Sequence, residues 1–257
     1  MRNCIKADLR RVQKKVSFLV CTGIVVVLFL LAGLLAKILP LHLGEIQGSA
    51  MTMDLYASAV LFFFPLLTGI PIFSAVYSDD FKSRSMQTAI GFGLTRQKII
   101  WARFFEGMLL LVETGIIYSA FLVLTEVMNG VSGDNIRKTL INELWIKDLK
   151  ILGFLCLSLI IVYGTQKPSG GLVLFILLIS GVFGTMISAM DLIPFFDKHN
   201  IEPSKYFPSG VITTLQDAIS GGHAGKAVVA FVCFAAFYVI LPVFISIGIF
   251  DKKELDF

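Results

Sequence analysis

The sequence predicts an all-α integral membrane protein with six transmembrane helices. It also predicts an N-terminal amphipathic interfacial helix, a short surface helix between the second and third spans, and a short outer helix before the last span. Three observations carry this. The 257 residues are 56% hydrophobic and include 23 Phe, whereas a soluble domain averages about 45–50% apolar. The apolar residues come in blocks of roughly twenty, the length that crosses a bilayer as a helix. The basic residues collect in alternate connections, the charge bias that orients membrane helices.

Residues 1–16 hold Arg2, Lys6, Arg10, Arg11, Lys14 and Lys15, with Ile5, Leu9, Val12 and Val16 at helical spacing on the other face. That pattern reads as an interfacial helix with cationic flanks. A signal-peptide n-region is the alternative, but the apolar run Phe18–Leu39 is too long for an h-region and lacks a small-residue cleavage site. The spans are expected at about 17–39, 55–77, 104–127, 149–165, 170–190 and 227–250, all within a single membrane domain, 1–257. The fourth and fifth form a tight hairpin around Gln166-Lys167-Pro168-Ser169. With six spans both termini share one side, and that side holds 14 of the 22 basic residues. The positive-inside rule makes it cytoplasmic. The other side has modest loops at 40–54 and 128–148 and a longer one at 191–226, where basic residues mingle with ten acids from Glu45 to Asp217.

The second span, with Pro65 and Pro71 around Gly69, feeds Ser78–Arg103, SDDFKSRSMQTAIGFGLTRQKIIWAR. Ser78 can cap a short helix with Asp79 and Asp80 in its first turn, where the helix dipole favours acids. Phe81, Arg84, Met86 and Ile90 would ride on it, and Gly91-Phe92-Gly93 would stop it. Thr95 is positioned to cap the third span, which opens with Arg96, Lys98, Trp101 and Arg103. Within that span Glu106 and Glu113 lie seven apart on one face, with Tyr118 not far around. Glu106 is expected to pair with Arg103 or Lys98. Glu113, placed near mid-bilayer, either lines a substrate path or is hydrogen-bonded inside the bundle, since a lipid-exposed carboxylate is costly. Before the last span, Val211, Ile212, Leu215, Ala218 and Ile219 fall on one face of a helix opened near Ser209-Gly210 and closed by Gly221-Gly222.

Little here suggests catalysis. The four cysteines have neither metal-ligand nor redox spacing. The three histidines fall in outer loops without a His-Glu-x-x-His pattern, and Ser169-Gly170-Gly171 lacks the setting of an intramembrane serine protease. Asp79-Asp80 lacks the further acids of a headgroup transferase. Ser220–Ala227 echoes a P-loop but has Ser220 and Ala227 where Gly and Ser/Thr belong. No metal site, nucleotide site or nucleic-acid partner is expected in this chain.

The run from Asp79-Asp80-Phe81 to Gly93-Leu94-Thr95-Arg96-Gln97-Lys98-Ile99, followed by a basic residue opening the third span, resembles the corresponding segment of ABC-2-type exporter permeases. Arg103 stands where that family usually has Lys, and Asp80 near where it often has Glu. The resemblance implies a non-catalytic permease subunit in the bacterial cell membrane. Asp79, Asp80, Phe81, Arg84, Met86 and Ile90 would then form the coupling helix that docks on a separate cytoplasmic ATPase, which holds ATP and Mg2+. It implies a second copy or paralogue as partner and membrane lipid around the pair. Glu113 and Tyr118 would line the translocation path, and Val211, Ile212, Leu215 and Ile219 would form an outer gate helix. The outer helix has a second reading, a surface helix on lipid headgroups. Size and layout resemble antimicrobial-peptide immunity and resistance exporters, with a peptide or lipid-like amphiphile as cargo. An ATP-independent carrier or channel, and an intramembrane enzyme, are the alternatives.

Overall fold

The computed structural model describes residues 9–38, 42–43, 46–47, 49–78, 90–91, 93–193 and 202–253. Apart from a two-residue antiparallel ladder pairing His42 with Gln47 and Leu43 with Ile46, the regular elements among them are helical. Helix α1 is Val16–Ile38, α2 Ser49–Phe73, α3 Arg96–Met128, α4 Gly133–Lys138 and α5 Ile146–Thr165. Then follow α6 Pro168–Ile179, α7 Val182–Met190, α8 Pro203–Tyr206, α9 Pro208–Ser220, α10 Ala224–Phe234 and α11 Leu241–Lys252. Wider π-type turns at Ser74–Ser78, Thr139–Trp145 and Ala235–Ile240 extend α2, join α4 to α5 and join α10 to α11.

Four of these helical runs are long and apolar enough to cross a membrane, namely Val16–Ile38, Thr52–Ser78, Arg96–Met128 and Ala224–Lys252. A fifth is added if α6 and α7, bent by 60°, count as one. The 170–190 span is therefore not one straight rod. It breaks at Gly181, whose φ of +82° suits glycine. The loop expected at 128–148 is helical from Gly133 onward, so the helical run that leads into the fourth predicted span starts well before residue 149. Lys147, Asp148 and Lys150 near the start of α5 set it apart from the apolar runs.

Burial follows the logic of a bundle in lipid. In α1 only a stripe of Phe18, Val25, Phe29, Ala32, Gly33 and Ala36 is buried, while Leu19, Val20, Ile24, Val27, Leu31 and Leu34 are exposed. An apolar surface of that extent would be untenable in water and is what a lipid-facing helix presents. Phe29 and Phe64 close on Tyr118 at centroid distances of 6.5 and 5.4 Å, joining α1, α2 and α3. Gly69 admits the Phe175 ring, whose Cζ lies 2.5 Å from where a Cβ would stand, and Gly153 admits Phe234 in the same way. Small residues let these helices approach where no hydrophobic effect drives them together.

Both prolines stay within α2. A proline removes the hydrogen bond to the carbonyl four residues back; for Pro65 that carbonyl belongs to Leu61. It accepts instead from Lys147 Nζ at 3.2 Å, and Glu143 neutralises the same ammonium at 2.6 Å. The carbonyl that Pro65 leaves free in α2 is thus served by the lysine at the start of α5.

Candidate functional site

The basic end of the bundle is where the resemblance places a docking segment. Asp79, Asp80, Phe81, Arg84 and Met86 lie outside the described residues. Ile90 is helical and half-buried against the core. Gly93, with φ of +84°, donates its N–H to the Ile90 carbonyl, the terminating geometry expected of that glycine. Thr95 occupies the N-cap position of α3 in extended backbone, without a side-chain cap bond. Arg96 then reaches the end of α11, donating to the carbonyls of Phe250 at 2.7 Å and Lys253 at 2.5 Å, with its guanidinium 5.4 Å from the Phe250 ring centre. Gln97 donates to Asp251 at 3.0 Å, and Lys253 donates to the Gly164 carbonyl at the end of α5. A guanidinium on the last carbonyls of a helix satisfies both their free lone pairs and the negative end of the helix dipole. The first turn of α3 is thereby tied to α11, and α11 to α5, immediately after the 79–92 segment.

Two turns further in, Arg103 and Glu106 form a buried ion pair at 2.5 Å, as expected from the sequence. Tyr77 packs beside it, its hydroxyl 3.4 Å from where a Cβ on Gly107 would be. Glu113 is half-buried, and both carboxylate oxygens accept from Gln13 Nε2 at 3.0 and 2.9 Å. Gln13 belongs to the helical residues 9–13, which also bury Val12, while Val16 is 73% exposed. The N-terminal segment therefore turns its Val12 side into the bundle, while Val16 already belongs to α1. Tyr118 is fully buried between Phe29 and Phe64. Because a carboxylate–amide bond is worth about 1.5–3 kcal/mol, Gln13→Leu and Glu113→Leu should each lower stability by that order. The double variant should be scarcely worse than either alone, which a double-mutant cycle on thermal unfolding would read.

Asp148 went unnoticed in the sequence because it stood at the edge of an expected loop. It is 6% exposed and sits against Gly115 in the middle of α3, with Oδ2 2.6 Å from the position of an absent Cβ. Neither carboxylate oxygen has a hydrogen-bond partner. The legible signal was the glycine at 115, near the middle of the span, where a missing side chain permits close approach by another element.

At the opposite end, α9 buries Ile212, Leu215 and Ala218, with Val211 half-buried. Ile219, expected on the same face, is 36% exposed, because it sits at the edge of the buried arc one residue before the helix ends. Asn142 ties the helix to the turn before α5, its carbonyl accepting from Gln216 at 2.6 Å and its amide donating to Ser220 at 3.0 Å. Two cavities flank α8. One, of about 310 Å³, is polar and lined by Ser188, Ser204, Thr213, Thr214, Glu202 and Asp217, among others. The second, of about 420 Å³, is apolar and lined by Leu157, Ile187, Met190, Phe207 and Tyr238 among others. Glu202 bonds Lys205 at 2.8 Å, which raises the lysine's pKa. Among the described residues no three His, Cys, Asp or Glu side chains gather as a metal centre.

No family model, curated protein or solved structure matches the chain.

Proposed function

We propose that this chain is the transmembrane permease subunit of an ATP-driven exporter of the ABC-2 type, moving a peptide or lipid-like amphiphile. It is non-catalytic, is completed by a second copy or a paralogue, and uses a separate cytoplasmic ATPase that binds ATP and Mg2+. The observation that carries the proposal is the junction at the basic end. Arg96, Gln97 and Lys253 link the start of α3, the end of α11 and the end of α5. A pull on the segment just before α3 would move three helices together. The adjoining polar and apolar cavities at the far end suit an amphiphilic cargo.

The test is affinity purification of the tagged chain from its own host. A soluble ATPase should co-purify in stoichiometric amount and be lost when residues 79–90 are scrambled in a chain that still inserts. Phe81→Ala or Asp80→Ala should keep insertion and uncouple hydrolysis from export. Recovery of the chain alone under conditions that preserve membrane complexes would overturn the proposal.

A second reading, an ATP-independent carrier, is favoured by the buried, unpartnered Asp148 beside the Lys147–Glu143 pair, and by the 60° break between α6 and α7. Broken helices and buried charges are features of ion-coupled carriers. Amphiphile movement in sealed, nucleotide-free vesicles that is lost in Asp148→Asn would replace the exporter reading with this one.

A further inference from the structure

The two cavities that flank α8 share their walls, and each shared wall shows one chemistry to either side. In α7, Gly184 and Ser188, one turn apart, line the polar cavity, while Ile187 and Met190 line the apolar one. In α8, Ser204 and Lys205 line the first, and Pro203 and Tyr206 the second. The face of α9 that carries Gly210, Thr213, Thr214 and Asp217, spaced i, i+3, i+4 and i+7, completes the polar cavity. The partition is closely built. A Cβ on Gly184 would stand 3.4 Å from Ser209 Oγ, and Asp191, just after α7, accepts from the Ser204 N–H at 3.1 Å. The result is two adjoining chambers, about 310 Å³ and polar, about 420 Å³ and apolar.

The polar chamber is rich in acceptors. Ser188, Thr213 and Thr214 donate to the carbonyls of Gly184, Ser209 and Gly210, each at 3.0 Å. With their single hydrogens spent, these hydroxyls have only lone pairs left to offer. Glu202 holds Lys205, whereas Asp217 is exposed and makes no ion pair among the described residues. Two carboxylates against one ammonium leave the chamber one negative charge. Its complement is a primary ammonium, which brings one positive charge and three N–H donors. A quaternary ammonium has no N–H to give and is recognised by aromatic faces, and no ring of the described residues lines this chamber. In the apolar chamber the Tyr238 hydroxyl donates to the Tyr206 carbonyl, which leaves the ring as wall.

We propose that the paired chambers bind an aminophospholipid, a lipid whose phosphate carries a primary ammonium. The ammonium goes to Asp217 and the hydroxyl lone pairs, the phosphate to Lys205, and an acyl chain to the apolar chamber. Lys205 belongs to the shared wall, so the order Asp217, Lys205, apolar chamber matches the order ammonium, phosphate, acyl chain. As a cargo site this rests on the exporter reading proposed above; as a binding site it stands apart from any ATPase.

The test is native mass spectrometry of the purified, delipidated full chain with phosphatidylethanolamine, phosphatidylcholine or phosphatidylglycerol of identical chains. One phosphatidylethanolamine should be retained in clear preference to the other two. Asp217→Asn should weaken its retention about tenfold, the loss of one charge-assisted hydrogen bond, and abolish the preference over phosphatidylcholine. Asp134→Asn, an exposed acid on α4 away from the chambers, should change nothing. Met190→Asp, which puts a charge on the apolar wall, should weaken retention of the lipid by way of its chain. Equal retention of the three lipids, or a preference that survives Asp217→Asn, would overturn the proposal. Full competition by free phosphoethanolamine would overturn the lipid assignment and leave a small-molecule site. A site indifferent to the lipid that holds a lysine-bearing amphipathic peptide through Asp217 would overturn it in favour of a peptide. Loss of the lipid preference with an ATPase still co-purifying would refute the site alone, and lipid retention by a chain without an ATPase would refute the exporter alone.

Discussion

Glu106→Ala should destabilise the chain by about 3–5 kcal/mol, the cost of leaving one member of a buried ion pair without its partner. Glu106 is 1% exposed and its Oε2 lies 2.5 Å from Arg103 Nη1, so no solvent is at hand to replace the lost charge. The effect should belong to the pair and not to either residue. The double variant Arg103→Met/Glu106→Leu, which removes both charges and fills the space, should recover most of the loss, since buried pairs exchanged for apolar groups are often neutral or stabilising. Thermal unfolding of the parent, the two single variants and the double variant measures this directly. A Glu106→Ala chain as stable as the parent would mean that water reaches Arg103 and that the helices at this end are less closely packed than described. Because the pair sits about two turns beyond the Arg96 junction, the single variant should also loosen the link between the segment before α3 and the rest of the bundle.

Gly210→Ala should cost about 3 kcal/mol, the upper end of ordinary overpacking. A Cβ at Gly210 would collide with the Ser204 carbonyl oxygen and come within 2.9 Å of Lys205 Cα. These are backbone atoms, which cannot swing aside as a side chain does. The added methyl must push α8 away from α9 and distort the polar cavity that Ser204, Ser209 and Gly210 line. Gly225→Ala is the control. Nothing lies within 4 Å of its would-be Cβ, and it sits inside α10, where alanine is the better helix former. It should leave stability unchanged or raise it slightly. Equal unfolding temperatures for the two variants would show that α8 does not rest on α9 at this point.

The all-helical membrane architecture was legible because lipid imposes it through composition alone. Twenty-residue apolar blocks satisfy their own backbone only as helices, and this is why α1, α2, α3 and the α10–α11 run fall close to their expected positions. The tight turn at Gln166–Ser169, the stop at Gly93, the Arg103–Glu106 pair and the start of α9 were local too. Each depends on neighbours within a few residues, and such signals survive in one dimension. The bend at Gly181 and the early start of the α4–α5 helical run escaped, because hydropathy measures how apolar a window is and not whether its axis is straight.

Which polar groups matter was decided by tertiary structure. Glu113 looked like the key intramembrane acid, yet it is bonded to Gln13, a hundred residues away. Asp148 became notable only when Gly115 received it. Amino-acid order determined that the chain must be helical, lipid-embedded and basic at one end, since those properties are sums over residues. Which carboxylates ended up neutralised and which remained bare was settled only by packing, because hydrogen-bond partners come from helices whose contact the sequence does not record.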